Sequence, residues 1–304
     1  MPSRRLFENI RATTWRALAL AIIAAAGASL ILNLAANEPA VTELLDRLAQ
    51  ATGGLVQGPL VAAPLYLSIV GTVIFGVGRL RPPDVGWRRS ALGTGILVTL
   101  CFWISMQAGL TVWIVWSGEV LRLSDGWSTS RGWGAGRILG QLLAQLAGNA
   151  LLEEMVYRGY FLPQLYLKAS TLFRPRAALV LALLGSQILF ATAHIPARLF
   201  DDIHSAEALL RDQLELFLQG LLFGALYLST RNIFICVGLH SLFNQPARIP
   251  EASFSPGVRA VWYAFALILL VVWSIARKLN GREYARRSLA ACRQERQSES
   301  DANP

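Results

Sequence analysis

Charge is scarce in this chain, and cysteine and histidine are scarcer still. Only 15% of its 304 residues are Asp, Glu, Lys or Arg, against about a quarter in an ordinary soluble domain. The three cysteines, Cys101, Cys236 and Cys292, are too few and too scattered for a disulfide framework or a cysteine-based zinc site. No Gly/Ser-rich or Pro-rich linker divides the chain, and no repeat of 20–50 residues recurs in it. What is abundant is apolar material: 54% of residues, with a mean hydropathy of +0.44. That much apolar side chain excludes a disordered chain. Its arrangement in long blocks, rather than at helical or strand spacing, speaks against a water-soluble globule.

A membrane-spanning helix needs about 20 mostly apolar residues. The stretches that qualify are Ala17–Asn37, Leu48–Gly78, Ser90–Gly118, Ile138–Leu152 (continuing to about Tyr166), Ala177–Phe200, Leu216–Thr230, Asn232–Ala247 and Ala260–Ala276. In the second, Gly53-Gly54 and Gly58-Pro59 put the helix start near Gly58. The sixth and seventh are separated by Arg231-Asn232, a tight helical hairpin. The expected fold class is therefore all-α, a polytopic transmembrane bundle of about eight spans. Its expected divisions are three N-terminal spans within 1–137, a core at 138–247, a final span within 248–281 and a basic, disordered tail at 282–304.

An even number of spans places both termini on one side, and basic residues choose which. The segments on the side of the termini hold 19 of the 28 Lys and Arg with six acidic residues; the opposite loops hold eight basic and eleven acidic. By the positive-inside rule both termini are cytoplasmic. The net charge of +9 is thus a topology signal first, and nucleic acid is not an expected partner. Residues 1–16 lack a secretory cleavage pattern, so the first span is read as retained. Trp87, Trp127, Trp133 and Trp273 fall near span ends, as interfacial anchors do.

Polar residues inside apolar spans mark where chemistry is expected. Glu153, Glu154 and Arg158 lie in the fourth stretch. Glu154 and Arg158 are spaced i,i+4 and can pair, whereas Glu153 points about 100° away and is left to face a cavity as a general base. An all-structural cluster that locks helices together is the competing interpretation. Two of the three histidines also fall in spans: His194, closing Phe190-Ala-Thr-Ala-His194, and His240, opening His240-Ser-Leu-Phe-Asn244. Together with Asn244 and a free Glu153 they supply the parts for activating water. His204 sits among Asp201, Asp202 and Glu207 and is read as solvated surface. Counting 1.5 Å per residue, Glu153 and His240 come out in the inner half of the bilayer and His194 near its outer surface. They meet only if the fifth helix starts well inside the cytoplasm or is strongly tilted.

At these residues the chain resembles the CAAX prenyl protease and bacteriocin-processing (CPBP, or ABI) family of intramembrane proteases. The family's Glu-Glu-x-x-x-Arg, Phe-x-x-x-His and His-x-x-x-Asn/Asp motifs read here Glu153-Glu154-Met-Val-Tyr-Arg158, Phe190 to His194, and His240 to Asn244. All three fall in order, and Gly159 follows the arginine. The resemblance covers about 138–247. It implies that Glu153 is the general base, that His194 helps it position the attacking water, and that His240 and Asn244 stabilise the oxyanion. Glu154 and Arg158 would be architectural. The family has been described both as metal-dependent and as a metal-free glutamate protease. Glu153, His194 and His240 equally make a two-histidine, one-carboxylate zinc set, so zinc stays possible while direct water activation is preferred. Other intramembrane protease chemistries lack their motifs: there is no His-Glu-x-x-His, no Gly-x-Ser-Gly, and no Tyr-Asp or Gly-x-Gly-Asp pair.

The leading expectation is an endopeptidase of a bacterial inner membrane, with a peptide or membrane-protein substrate and the lipid bilayer as its partners. A non-catalytic scaffold or immunity protein on the same fold is the second reading. An ion-coupled transporter is the third, weakened because the two halves lack matched Gly/Pro-broken helices.

Overall fold

The computed structural model describes residue 7 and residues 9–127, 134–200 and 205–251. The expected last span, Ala260–Ala276, the tail at 282–304, Cys292 and the loop histidine His204 lie outside the described residues.

Among the described residues the fold is all-α. The α-helices are α1 (Trp15–Ala36), α2 (Pro39–Ala51), α3 (Gly58–Gly71), α4 (Arg89–Trp116), α5 (Ala135–Leu146), α6 (Asn149–Glu153), α7 (Leu162–Ala169), α8 (Pro175–Thr192), α9 (Ile195–Phe200), α10 (Ala206–Thr230) and α11 (Ile233–Asn244). Four helical runs are long and apolar enough to cross a membrane: Trp15–Ala36, Gly58–Val77, Pro82–Trp116 and Pro175–Phe200. The protein is an integral membrane protein with an inside-out surface. In α1, Ala17, Ala21, Ala25 and Ala28 are buried while Ile23, Leu30, Ile31 and Leu34 are exposed. Small residues let helices approach where lipid removes the hydrophobic drive to bury large ones.

Several expected spans are revised. The fourth stretch is not one helix. It breaks at Ala147-Gly148, where Gly148 takes φ −118 and ψ −110, and the continuous run begins only at Asn149. It proceeds through α6, a π-helical segment Glu154–Phe161 and α7. The fifth stretch stops being α-helical at Thr192, and His194 lies in the turn that follows. The sixth starts ten residues earlier than expected, at Ala206 rather than Leu216. The hairpin at Arg231-Asn232 is present: Arg231 is left-handed (φ 57) and the Asn232 side chain caps α11 by accepting from the Phe234 N–H at 2.9 Å.

These revisions account for the mismatch in depth. With its run starting at Asn149, Glu153 sits about 6 Å from the beginning of that run, not deep within a helix begun at Ile138. The start of an inward-running helix and the end of an outward-running one share a side of the membrane. Glu153 and His194 are therefore brought to the same end of the bundle.

Two close approaches hold the core in register. A Cβ on Gly238 of α11 would stand 2.8 Å from Cβ of Thr99 on α4, so α4 and α11 pack nearly backbone to backbone. A Cβ on Gly159 would stand 3.1 Å from the Val85 carbonyl carbon, which seats the 3-10 turn Pro82–Val85 against the π-helical segment. The start of the chain is tied to α7. Gln164, fully buried, accepts from the Thr13 N–H (2.8 Å) and hydroxyl (3.1 Å) and donates to the Arg11 carbonyl (2.8 Å). Phe7 packs on Tyr166 with ring centroids 5.2 Å apart, under the Arg231 guanidinium at 4.5 Å. Trp127 acts as more than an anchor: its indole donates to the Arg248 carbonyl at 2.6 Å.

Candidate active site

The two adjacent glutamates straddle the join between α6 and the π-helical segment. In that segment the Leu162 N–H reaches back five residues to the Tyr157 carbonyl, which also accepts from the Ser186 hydroxyl at 2.8 Å. Every residue from Glu154 to Phe161 is buried. π-Helical turns are rare and concentrate at functional sites. Here the wider turn begins at the second glutamate; Glu153 and Glu154, adjacent and so about 100° apart around the helix, meet different partners.

Glu154 faces inward. It is fully buried, and its Oε1 lies 3.1 Å from Arg158 Nη1. The same oxygen accepts from His240 Nδ1 at 2.8 Å. The i,i+4 pair expected between Glu154 and Arg158 is present, but it extends to a third member on α11. Arg158 is otherwise enclosed: Nη2 donates to the Gly220 carbonyl at 3.3 Å, and the guanidinium lies 4.5 Å from the Phe190 ring centroid and 5.7 Å from that of Phe223. Phe223 in turn stacks on His240, centroids 4.9 Å apart and planes at 22°. A charged pair taken out of water in this way needs each of these contacts to offset its lost hydration.

Glu153 faces the two histidines. Its Oε1 is 3.7 Å from His194 Nε2 and its Oε2 is 3.5 Å from His240 Nε2. Its side chain is 24% exposed, while Oε2 itself is buried without a hydrogen-bond partner. Each histidine uses its other nitrogen to hold its ring. Nδ1 of His194 bonds the Phe190 carbonyl at 2.8 Å, and Nδ1 of His240 bonds Glu154. Carbonyl and carboxylate oxygens accept, so both Nδ1 atoms carry a proton and both rings turn Nε2 toward Glu153. Two ring nitrogens and a carboxylate thus converge at one place, an arrangement that can hold a water molecule between them.

The structure thus gathers Glu153, Glu154, Arg158, His194 and His240 into one cluster, and leaves Asn244 beside it. Asn244 is exposed and donates through Nδ2 to Gln145 Oε1 at 3.0 Å, one helical turn from His240. Three residues escaped sequence reasoning. Phe190 contributes a carbonyl to His194 and a ring to Arg158; the ring was legible in the motif, the carbonyl was not. Gln145 holds Asn244, and only its polarity in an apolar stretch could have signalled it. Tyr66, on α3, lies within electrostatic range of Glu153, and nothing in the sequence links them. Among the described residues no group of three or more His, Cys, Asp or Glu side chains is placed to hold a metal ion. Cys236 is buried beside the Phe223 carbonyl, at 3.9 Å, and Cys101 is exposed.

Residues 135–245 match the family model for type II CAAX prenyl endopeptidases, Rce1-like. The matched region starts at the first residue of α5 and contains all three motifs, in agreement with the resemblance seen in the sequence. The match spans a little over a third of the chain, and the family it names is one of endopeptidases. No curated protein matches the chain, and no solved structure matches it.

Proposed function

We propose that this protein hydrolyses a peptide bond within or beside the membrane, with Glu153 as the general base acting on a water molecule. The observation that carries this is the convergence on Glu153: an unpartnered carboxylate oxygen with a histidine Nε2 near each of its two oxygens. Glu153 takes one proton as the water attacks the scissile carbonyl, and His194 orients the nucleophile. A base positioned in this way contributes about 10²- to 10⁴-fold.

His240 is held from behind by Glu154, and Glu154 by Arg158. The buried pair acts as a support that fixes ring tautomer and direction. The proton taken by Glu153 passes to the nitrogen of the leaving amine as the C–N bond breaks. In this scheme His240 acts with both ring nitrogens protonated, Nδ1 held by Glu154 and Nε2 donating, and the remaining Nδ2 hydrogen of Asn244 lies one turn away. These two groups face the charge that develops on the carbonyl oxygen, a role whose loss costs about 10²- to 10³-fold. The substrate is a peptide or a membrane-protein segment. In this reading the protein lies in a bacterial inner membrane, and the excess of basic residues on the side of the termini supports a cytoplasmic position for both.

The test is cleavage of a quenched-fluorescent peptide library, with prenylated and unprenylated members, by detergent-purified protein. Wild type is run beside Glu153→Gln, each with and without a zinc chelator. The proposal expects activity in the wild type that survives chelation, and a loss of at least about 10²-fold in Glu153→Gln. Loss on chelation would replace direct water activation with a metalloprotease. Full biological activity in Glu153→Gln would overturn the enzymatic role in favour of a scaffold.

A further inference from the structure

Beside the cluster lies a set of neutral amides, of which the hydrolytic scheme uses only Asn244. On α5, Gln141 and Gln145 are four residues apart and share a face. At the end of α11 stand Asn244 and Gln245. The two rows are joined: Asn244 Nδ2 donates to Gln145 Oε1 at 3.0 Å, and Gln245 Nε2 donates to Gln141 Oε1 at 2.9 Å. Asn244 is exposed and the other three are half-buried, on two helices that are otherwise mostly apolar. Neutral side-chain amides in such a place are expensive unless their hydrogen-bonding capacity is used.

Counting that capacity shows what is left over. Both glutamines of α5 act as acceptors in these two pairs, so both of their NH₂ groups stay open. Asn244 and Gln245 act as donors, so both of their carbonyl oxygens stay open. Donors therefore line one side and acceptors the other, and none of the four carries formal charge. Along α5 the two donors are separated by about 6 Å. The groups on one edge of an extended peptide recur every second residue, about 6.6–6.8 Å. Asn244 connects this set to the catalytic cluster, because it is one turn from His240, which stands 3.5 Å from Glu153.

We infer that Gln141, Gln145, Asn244 and Gln245 form the subsite that binds the main chain of an extended peptide substrate and leads it to Glu153. The inference takes the endopeptidase role of Glu153 as given. Recognition through main-chain amides is indifferent to side chains, so sequence selectivity must come from elsewhere in the site.

The experiment measures binding of a fluorescein-labelled Ala/Leu peptide to the Glu153→Gln protein by anisotropy, so that no turnover intervenes. The peptide is compared with a series in which single main-chain amides are replaced by esters, one position at a time. At one or two positions the ester is expected to weaken binding by about threefold to tenfold, the equivalent of one neutral hydrogen bond. Gln141→Leu and Gln245→Leu should each weaken the all-amide peptide by a similar factor, and Gln245→Leu, which removes an acceptor for a main-chain N–H, should abolish the further effect of the ester. In otherwise wild-type protein the same substitutions should act through KM more than kcat. Two neighbouring helices merely stapled together would give ester effects that are equal in wild type and variants. That result, or unchanged affinity in both variants, or no saturable binding, overturns the inference. Coupled ester effects in a protein that hydrolyses no peptide would instead preserve the subsite and remove the enzymatic role.

Discussion

Arg158→Met probes the buried support at its least exposed point. The methionine fills much of the volume of the arginine stem but removes the charge. Three contacts vanish with it: the 3.1 Å approach to Glu154, the 3.3 Å bond to the Gly220 carbonyl, and the guanidinium's place against Phe190 and Phe223. Both side chains of the pair are completely buried, so no solvent is at hand to take over. Glu154 keeps only His240 as a partner. Breaking a buried pair from one side costs about 3–5 kcal/mol. Removing both charges in Glu154→Leu/Arg158→Met leaves instead one unsatisfied His240 Nδ1, a penalty of about 1–3 kcal/mol. The double variant should therefore be more stable than the single one. Equilibrium unfolding in mixed micelles, followed through tryptophan fluorescence, gives both differences. Peptide hydrolysis should be lost in both variants, since His240 is unsupported in each. A single variant within about 1 kcal/mol of wild type, or a double variant less stable than the single, would refute this account of the pair.

Further outcomes follow from separate parts of the molecule. His194→Ala should lower peptide hydrolysis by about 10²-fold or more while leaving the unfolding midpoint nearly unchanged, because the side chain is 21% exposed and bonded only to the Phe190 carbonyl on its far side. Gly238→Ala places a methyl against Thr99, with a Cβ–Cβ distance of 2.8 Å before relaxation; unfolding should show a loss of about 1–3 kcal/mol as α4 and α11 are forced apart. Gln164→Leu removes the bonds to Thr13 and to the Arg11 carbonyl, and limited trypsin digestion should then cut after Arg11 several-fold faster than in wild type.

How much of this could be read from the residues alone varies from element to element. Burial in lipid requires long apolar blocks and closed helical hydrogen bonding, so the all-α membrane bundle was legible from composition, and so was the Arg231-Asn232 hairpin. The i,i+4 relation of Glu154 and Arg158 is local geometry, and the structure contains that pair. Helix boundaries were harder. No charge or proline marks Ala147-Gly148, and an apolar run does not reveal where its hydrogen bonding is interrupted. Taking Ile138 as the start misplaced Glu153 in depth and made His194 look out of reach.

Residue types and their spacing were enough to nominate Glu153, His194 and His240, because ionisable groups are costly in a bilayer and are kept where they have work. Spacing along a chain says nothing about which atoms meet across helices. That His240 is held by the second glutamate and faces the first depends on where α11 lies against the two. That Asn244 pairs with Gln145 depends on how α5 lies after the break, a long-range contact that no local pattern encodes. Lipid solvation selects the helices, whereas side-chain packing across at least four of them selects the partners. The second choice is made only when the chain is folded.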